Sequence, residues 1–362
     1  MRDIRMILPN MASDTAGAAS ALFQLNGLTV IHDAAGSMES YITFDEHREL
    51  EGKRTAASRL SRLEAITGDD SILLDKLAEE CAGDPPPFAA IIGSPVPFTI
   101  GTDLEGIAAE AELAAGIPTF AVTAGGFGLY DEGVGEALKK LLEKTARPPA
   151  PHTGYAVNLL GAMPLDYSQA EIGGIRTRLL AQGAARVNSL TMADGMDEIY
   201  AAAEADLDLV ISAAGLPAAR YLKTKYGIPY SIGVPLGETQ PLAETASGRS
   251  VLVMGEAVLS KQLALVMGEM GFAAVAGVTG NDDPEIFPQV PCVRLDTEER
   301  ICEELKKEYF AVVGDPLYRL LLPAGSGSVF VERPHRALSS RLYPPSEYAL
   351  EHLLHECKRC FI

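Results

Sequence analysis

The stretch that most constrains the fold runs from Phe88 to Gly128, FAAIIGSPVPFTIGTDLEGIAAEAELAAGIPTFAVTAGGFG. It opens with an apolar run over Phe88–Ile92, whose length and isoleucine content predict a buried strand of a parallel sheet. A helix follows over Leu104–Ala115, opened by a T-x-x-E capping box and ended by Gly116. A second strand follows over Thr119–Val122, so this order predicts a right-handed βαβ unit.

The connection between the first strand and the helix, residues Gly93–Gly101, is long for a βα loop, and long connections are usually functional. Pro95 and Pro97 predict that it stays extended. Ligands of open α/β sheets bind at the carboxyl ends of the strands. We therefore expect this loop and the turn Gly125–Gly128 to lie together at a ligand-facing edge. The alternative is that the loop is only a stiff connection.

The rest of the chain repeats the alternation of strand and helix patterns, which predicts parallel sheets. A proline-rich linker, Ala146–Gly154, ends the first unit, and Ser247-Gly248-Arg249 opens the third. We expect an α/β fold of three Rossmann-like units, each a parallel β-sheet flanked by helices. The expected boundaries are 1–148, 149–246 and 247–362, the last with a C-terminal helix.

Composition narrows the classes of function. The 362 residues include 30 basic and 49 acidic side chains, and the net charge of -19 disfavours nucleic acid and anionic lipid as partners. The chain has no apolar run of membrane-spanning length and no signal-peptide pattern, so we expect a cytoplasmic protein. Its five cysteines do not form a disulfide framework. The charged segment Glu46–Arg62 is expected to be solvated surface.

Two sets of residues are candidates for a site. His32 and Asp33 end a predicted strand, Leu28–His32, and form an adjacent titratable pair at the ligand-facing edge; the alternative is that they cap a strand and a helix. The candidate ligand-cleft residues are His32, Asp33, Gly36, Gly93, Gly125, Gly126 and Gly237.

Cys357 and Cys360 are three apart on a predicted terminal helix, a spacing that permits a metal. Neighbouring Lys358 and Arg359 disfavour a cation, so we assign no metal site there.

Several familiar signatures are missing from the sequence. No G-x-G-x-x-G follows a strand, and Glu256 stands where a pyrophosphate would have to approach. Neither a P-loop nor a G-x-S-x-G elbow occurs. These absences disfavour a nicotinamide dehydrogenase, a P-loop ATPase and an α/β hydrolase.

Six segments carry a family resemblance. GSPVPFTIGTDL (93–104) resembles the cysteine-proline, isoleucine-glycine-aspartate segment of the nitrogenase component 1 family, which includes the nitrogenase MoFe protein and protochlorophyllide reductase subunits. SDTAGAASAL (13–22) and VIHDAAGSMESY (30–41) resemble two further cysteine segments of that family. VTAGGFG (122–128), YAVNLLG (155–161) and KYGIPYSIGVPLGETQPL (225–242) resemble later segments in the same order.

The chain departs from that family at the cysteines. The three N-terminal segments each supply a cysteine to an iron–sulfur cluster in the family, and the matching positions here are Ser13, Ser37 and Ser94. Serine is a poor iron ligand because its hydroxyl loses a proton only at high pH, whereas a thiolate forms readily. We therefore expect no conventional iron–sulfur cluster on this subunit and assign no cofactor.

The resemblance implies an oxidoreductase subunit that acts in reduction or binding of a tetrapyrrole, a metal cofactor or a small molecule. It implies a homo- or hetero-oligomer with a component 1 paralogue, and an ATP-dependent iron–sulfur reductase as electron donor. The apolar loop around Phe98 is then expected to be a subunit contact. One alternative is a redox-inactive ligand-binding or scaffold subunit that supports a cysteine-bearing paralogue. Another is a glycosyltransferase-like enzyme that uses a nucleotide sugar.

Overall fold

The structure is a computed structural model that describes residues 5–34, 41, 46, 48, 52–192, 195–236 and 248–342. Across these residues the strands form three parallel sheets, and helices pack against them. The expected α/β fold of three units is thereby confirmed. None of the described helices is both long and apolar enough to cross a membrane.

The first sheet contains the βαβ stretch. Its strands have the spatial order β2-β1-β3-β4, with β1 Leu28–Ile31, β2 Thr55–Ala57, β3 Ala89–Ile92 and β4 Thr119–Val122. Every residue of β1, β3 and β4 is buried. Burial on both faces explains why these strands are continuous apolar runs without alternation.

The edge strand β2 corrects one prediction in part. Residues 52–62 are exposed or half-buried, as the prediction requires, but a strand and a buried carboxylate were not expected. Segment Glu46–Arg62 is predicted from its charge to be solvated surface, but Thr55–Ala57 pairs in parallel with residues 29–31. Glu46 is only 1 % exposed, because the Nε of Arg48 lies 2.7 Å from its carboxylate and the Tyr41 hydroxyl donates to it at 2.9 Å. The charged composition therefore concealed a strand and a buried ion pair.

The helices of this first unit are α1 Asp14–Leu22, α2 Arg62–Thr67, α3 Ser71–Gly83, α4 Pro95–Ile100, α5 Leu104–Ala115 and α6 Tyr130–Thr145. Helices α1 and α6 cross very closely. A Cβ placed on Gly17 would lie 2.0 Å from the Tyr130 carbonyl oxygen, and one on Gly133 would lie 1.8 Å from the Asp14 carbonyl oxygen. The two glycines therefore let the two helix backbones touch.

Helix α4 overturns a second prediction, because the connection that Pro95 and Pro97 were predicted to keep extended forms a short helix. Proline is tolerated in a first helical turn, where its missing N–H would have no intrahelical partner. Gly101 ends the helix in the left-handed region, at φ 74°. The next helix, α5, is capped by Asp103, which accepts from the Gly106 N–H at 3.0 Å, and not by the predicted box at Thr102.

The second sheet has the order β6-β5-β7-β8, with β5 Tyr155–Leu160, β6 Ala184–Asn188, β7 Leu207–Val210 and β8 Tyr230–Ile232. Its helices are α7 Gln169–Ala181, α8 Asp197–Tyr200 and α9 Leu216–Tyr226. A capping box of Ser168 and Glu171 opens α7, with both reciprocal bonds present. Caps and apolar runs mark the ends of these strands and helices.

The third sheet has the order β11-β10-β9-β12-β13, with β9 Ser250–Gly255, β10 Ala273–Val278, β11 Cys292–Arg294, β12 Ala311–Gly314 and β13 Val329–Glu332. Its helices are α10 Ala257–Glu269, α11 Glu298–Leu305 and α12 Arg336–Ser339. The two edge strands, β11 and β13, were not predicted. One continuous apolar cluster, which includes Ile92, Leu160 and Val253, joins the three sheets.

Candidate functional site

The residues that follow the strands of the first sheet lie side by side. The His32 N–H donates to Ile92 O at 2.8 Å, and the Gly93 N–H donates to Val122 O at 2.9 Å. The Ser94 hydroxyl, 1 % exposed, donates to His32 O at 2.8 Å. The loops that begin after β1, β3 and β4 therefore start from one edge of the sheet.

The N-terminus of α1 lies against the same edge. The Ser13 hydroxyl caps the helix by accepting from the Ala16 N–H at 3.3 Å. The Asp14 carboxylate accepts from the Gly125 N–H at 2.9 Å, and the Thr15 hydroxyl donates to Gly93 O at 2.9 Å. The segment of Ser13 is thus tied to the loop after β3 and to the turn after β4. Ser37, Gly36, Gly237, Cys357 and Cys360 lie outside the described residues.

Two of the glycines predicted for the ligand cleft serve close packing. A Cβ on Gly93 would lie 2.4 Å from Ala124 O. Gly126 has φ +71°, and its Cβ would meet the Pro95 ring at 2.5 Å. These glycines let the two loops pack against each other, which is an alternative to close approach of a ligand.

His32 and Asp33 are bonded to Ser58 and to a local turn. His32 is 2 % exposed; its Nδ1 lies 2.9 Å from the Ser58 hydroxyl, and its Nε2 has no hydrogen-bond partner within the described part of the chain. Burial lowers the pKa of His32, against the opposing charges of Asp70 and Asp33. The Asp33 carboxylate accepts from the Ala34 N–H at 2.7 Å. We infer that His32 is a neutral, buried imidazole and that the Asp33 carboxylate stabilises a local turn.

The serines do not fit an iron–sulfur cluster. A cluster needs ligands that are deprotonated and directed at the iron. The Ser94 hydroxyl instead gives its proton to a backbone carbonyl, and the Ser13 hydroxyl accepts from a helix N–H. Both side chains are committed to backbone bonds, so the described residues at this edge offer hydroxyls with structural roles where the family has thiolates.

The outer side of these loops is apolar and exposed. The rings of Phe98 and Phe127 meet edge to face with centroids 5.8 Å apart, and the two residues are 62 % and 56 % exposed. Ile100, at the end of α4, is also exposed. We call Phe98, Ile100 and Phe127 the strand-end surface. Exposed apolar side chains that touch across two loops form a patch of the kind that marks interaction sites.

A second cluster, which sequence reasoning missed, lies where the three units meet. Tyr130, at the start of α6, donates from its hydroxyl to Asp166 Oδ1 at 2.5 Å. His335 Nε2 lies 3.0 Å from the same oxygen and 3.1 Å from the Tyr130 hydroxyl. Arg333 donates to Asp166 O at 2.9 Å. The first and second units thus contribute one residue each, and the third unit two, to a hydrogen-bonded cluster that we call the junction.

Burial shifts the ionisation of Glu256, an acid beside the junction. It raises the pKa of Glu256 to about 8, with a further increase from the charge of Asp166. The Glu256 carboxylate accepts from the N–H groups of Ala213, Val258 and Leu259 at 2.8 to 3.0 Å. Glu256, which the sequence places where a pyrophosphate would have to approach, therefore caps α10 and holds the second unit against the third.

The junction leaves little free space. The cavity lined by Asp166, Glu256 and His335 has a volume of about 20 Å³, which is room for one water molecule. No local pattern in the sequence points to this cluster, because Tyr130 lies 36 residues from Asp166 and 205 from His335. Among the described residues, no group of three His, Cys, Asp or Glu side chains is placed to hold a metal ion.

Comparison with known proteins gives both a family and a fold. The family model for nitrogenase component 1 type oxidoreductases matches residues 13–241. A solved structure of nitrogenase Cp1 at pH 6.5 aligns with a TM-score of 0.73 and 13% identity over 100% of this chain and 94% of that chain. Nitrogenase Cp1 at pH 5 aligns with a TM-score of 0.58 and 17% identity over 93% of this chain and 78% of that chain. No curated protein matches the sequence.

Proposed function

Because the chain belongs to the nitrogenase component 1 type oxidoreductase family, we propose that it is a component 1-like subunit that contributes a protein contact, and no conventional cluster of its own, to an oxidoreductase assembly. Its partner in this proposal is a different, cysteine-bearing component 1 paralogue. The single observation that carries the proposal is the strand-end surface. Phe98 and Ile100 lie on the loop whose family counterpart carries a cluster cysteine, Phe127 lies on the turn that packs against it, and all three are apolar and exposed.

The bonds of the serines support the proposal that this subunit needs no cluster to keep its contact loops in place. Ser13 and Ser94 hold backbone groups of the loops, and these bonds would keep the loops in place without a metal. The loops can therefore keep their contact surface when serines replace the cysteines. Electrons from an ATP-dependent iron–sulfur reductase would then reach the paralogue, and reduction of a tetrapyrrole, metal cofactor or small molecule would take place there or at the shared boundary.

The junction supports a contact role over a ligand site between the units. A cavity of about 20 Å³ holds one water, whereas pockets for small molecules usually exceed about 300 Å³. The hydrogen-bonded side chains of Tyr130, Asp166 and His335 occupy the space between the units at this point. This filling favours the scaffold role within the same family, and the family match leaves no support for a glycosyltransferase.

Charge near the strand-end surface favours a partner that differs from this chain. Two acids adjoin the surface at Phe127: a Cβ on the neighbouring Gly128 would lie 2.4 Å from a carboxylate oxygen of Glu132 and 3.0 Å from one of Asp14. Asp103 caps α5, directly after the helix that carries Phe98. Two copies that met through this surface would bring like charges together, which is costly. A partner with basic groups around an apolar centre avoids that cost.

The experiment compares two exposed apolar residues. Phe98→Asp places a charge in the strand-end surface, whereas Leu113→Asp makes the same kind of change at a residue that is 86 % exposed near the far end of α5. We expect the wild type and Leu113→Asp to form a complex of defined mass with a co-expressed, cysteine-bearing component 1 paralogue, and Phe98→Asp to elute alone. Light scattering after gel filtration measures the masses.

Three other results would each contradict part of the proposal. If Phe98→Asp forms the complex as well as Leu113→Asp does, the strand-end surface is not the contact. If the wild type forms a dimer with itself that Phe98→Asp breaks, the surface is an interface but the partner is a second copy of this chain. If the wild type stays monomeric at tens of micromolar with the paralogue present, the proposed function fails.

A further inference from the structure

A cavity of about 580 Å³ opens at the amino edge of the third sheet. Its walls are the segments that lead into three strands of that sheet, β9, β12 and β13: residues 248–250, 305–310 and 323–328. The strand-end surface lies at the carboxyl edge of the first sheet, so the two sites are separate. A volume of this size is typical of pockets that hold small molecules.

One wall is a glycine- and serine-rich loop, Pro323–Ser328, with the sequence PAGSGS. The Ser326 N–H donates to Pro323 O at 3.0 Å, and Gly325 takes φ +81°, so the loop turns tightly. The Ser328 hydroxyl fixes the loop to Tyr309 O at 2.6 Å. Within the described chain, the N–H groups of Ala324, Gly325 and Gly327 meet no hydrogen-bond acceptor. Adjacent N–H groups in a tight turn form a concave site for anions.

The other wall carries positive charge. The Arg249 guanidinium lies over the Phe310 ring, 4.4 Å from its centroid, and has no carboxylate partner within the described residues. Lys306 also lacks a carboxylate partner there, whereas Lys307 is paired with Glu304 at 2.8 Å. Stacking fixes the plane of a guanidinium and leaves its edge donors free for a planar or tetrahedral oxyanion.

These features together differ from an ordinary solvated surface. In a chain with a net charge of -19, an exposed cation finds nearby carboxylates easily, as Arg319 does with Glu332 at 3.0 Å. Among the described residues that line this cavity, Arg249 and Lys306 have no carboxylate partner, three N–H groups of the loop have no acceptor, and Glu308 is the only carboxylate. Donors outnumber acceptors, so the complementary ligand is an anion rich in oxygen.

We propose that this cavity binds the phosphate group of a small molecule. Arg249 and Lys306 pair with the phosphate oxygens, and the N–H groups of the Pro323–Ser328 loop donate to them. The volume leaves room for a further group beyond one phosphate, such as a second phosphate or a nucleoside. Free phosphate and a phosphorylated metabolite share this chemistry, and the choice of probes separates them.

Titration calorimetry at constant ionic strength, in chloride buffer, tests the proposal with orthophosphate, pyrophosphate and ADP as probes. The variants are Arg249→Gln, Arg249→Lys, Lys306→Gln and the double variant Arg249→Gln/Lys306→Gln. Arg319→Gln is the matched control, because Arg319 also stacks on an aromatic ring, Phe330 at 5.1 Å, but does not line the cavity. All changed side chains lie on the surface, and circular dichroism verifies that each variant is folded.

We expect at least one probe to bind the wild type and Arg319→Gln equally. Arg249→Gln and Lys306→Gln should each weaken binding about tenfold, because each removes a charge-assisted bond, and Arg249→Lys should recover part of the loss. Tighter binding of ADP than of orthophosphate identifies a phosphorylated metabolite, and equal binding identifies the phosphate group alone. No binding of any probe at millimolar concentration overturns the proposal, as does binding that the double variant leaves unchanged.

Discussion

The hydroxyl of Ser94 is predicted to stabilise the first unit, and Ser94→Ala measures by how much. The side chain is 1 % exposed and donates to His32 O at 2.8 Å, at the point where β1 and β3 end. Loss of the donor leaves a buried carbonyl without this bond, which costs about 1–3 kcal/mol. Ser94→Cys should cost a similar amount, because a thiol is a weaker and larger donor.

Hydrogen exchange measures this cost locally, which matters because a chain of three units need not unfold in one step. Amide exchange in peptides that cover 28–34 and 89–101 should be faster in Ser94→Ala by about fivefold to 150-fold, since about 1.4 kcal/mol corresponds to a factor of ten. Ser231→Ala is the control, because Ser231 is an exposed serine on an edge strand of the second sheet. If Ser94→Ala exchanges no faster than this control, the structural role assigned to Ser94 is wrong.

Two further predictions concern the fold that carries the site. Gly17→Ala should destabilise the protein by more than about 3 kcal/mol, since its Cβ would lie 2.0 Å from the Tyr130 carbonyl oxygen; an unchanged melting temperature would contradict the close crossing of α1 and α6. Asp208 is buried in the second sheet, where Asn158 donates to it at 2.7 Å, and burial raises its pKa to about 7. Because the unfolded chain ionises this group at lower pH, the wild type should lose about 2–3 kcal/mol of stability between pH 5 and 8 that Asp208→Asn retains. Equal pH dependence in wild type, Asp208→Asn and the exposed control Asp75→Asn would refute that assignment.

The central strands and most helices could be predicted from the sequence because their signals are local. The runs Ala89–Ile92 and Thr119–Val122 are buried on both faces, and a short run of this kind is typical of a central strand in a parallel sheet. The capping box of Ser168 and Glu171 defines the start of α7 with side chains alone. Nothing beyond neighbouring residues is needed to recognise either.

The features that were missed depend on tertiary contacts. Strand β2 lies in a charged segment and forms because β1 offers it an open edge, and the buried Glu46 carboxylate is bonded by both Arg48 and Tyr41. Helix α4 forms around prolines that a local reading takes as helix breakers. The junction joins Tyr130 to a histidine 205 residues away, which no periodicity can indicate. Sequence patterns therefore anticipated the edge where Ser13 and Ser94 lie, but not the cluster that fills the centre.

The measurement that tests the central claim most directly is the iron and sulfide content of the protein after anaerobic purification and reconstitution. Ser13 and Ser94 are committed to backbone bonds, so we predict a colourless protein with less than about 0.1 iron per chain. A Cys357→Ser/Cys360→Ser variant lacks the two terminal thiols, so iron that it still binds cannot come from them. About four irons per chain, with a charge-transfer band that survives in this variant, would contradict the claim that the subunit has given up its cluster.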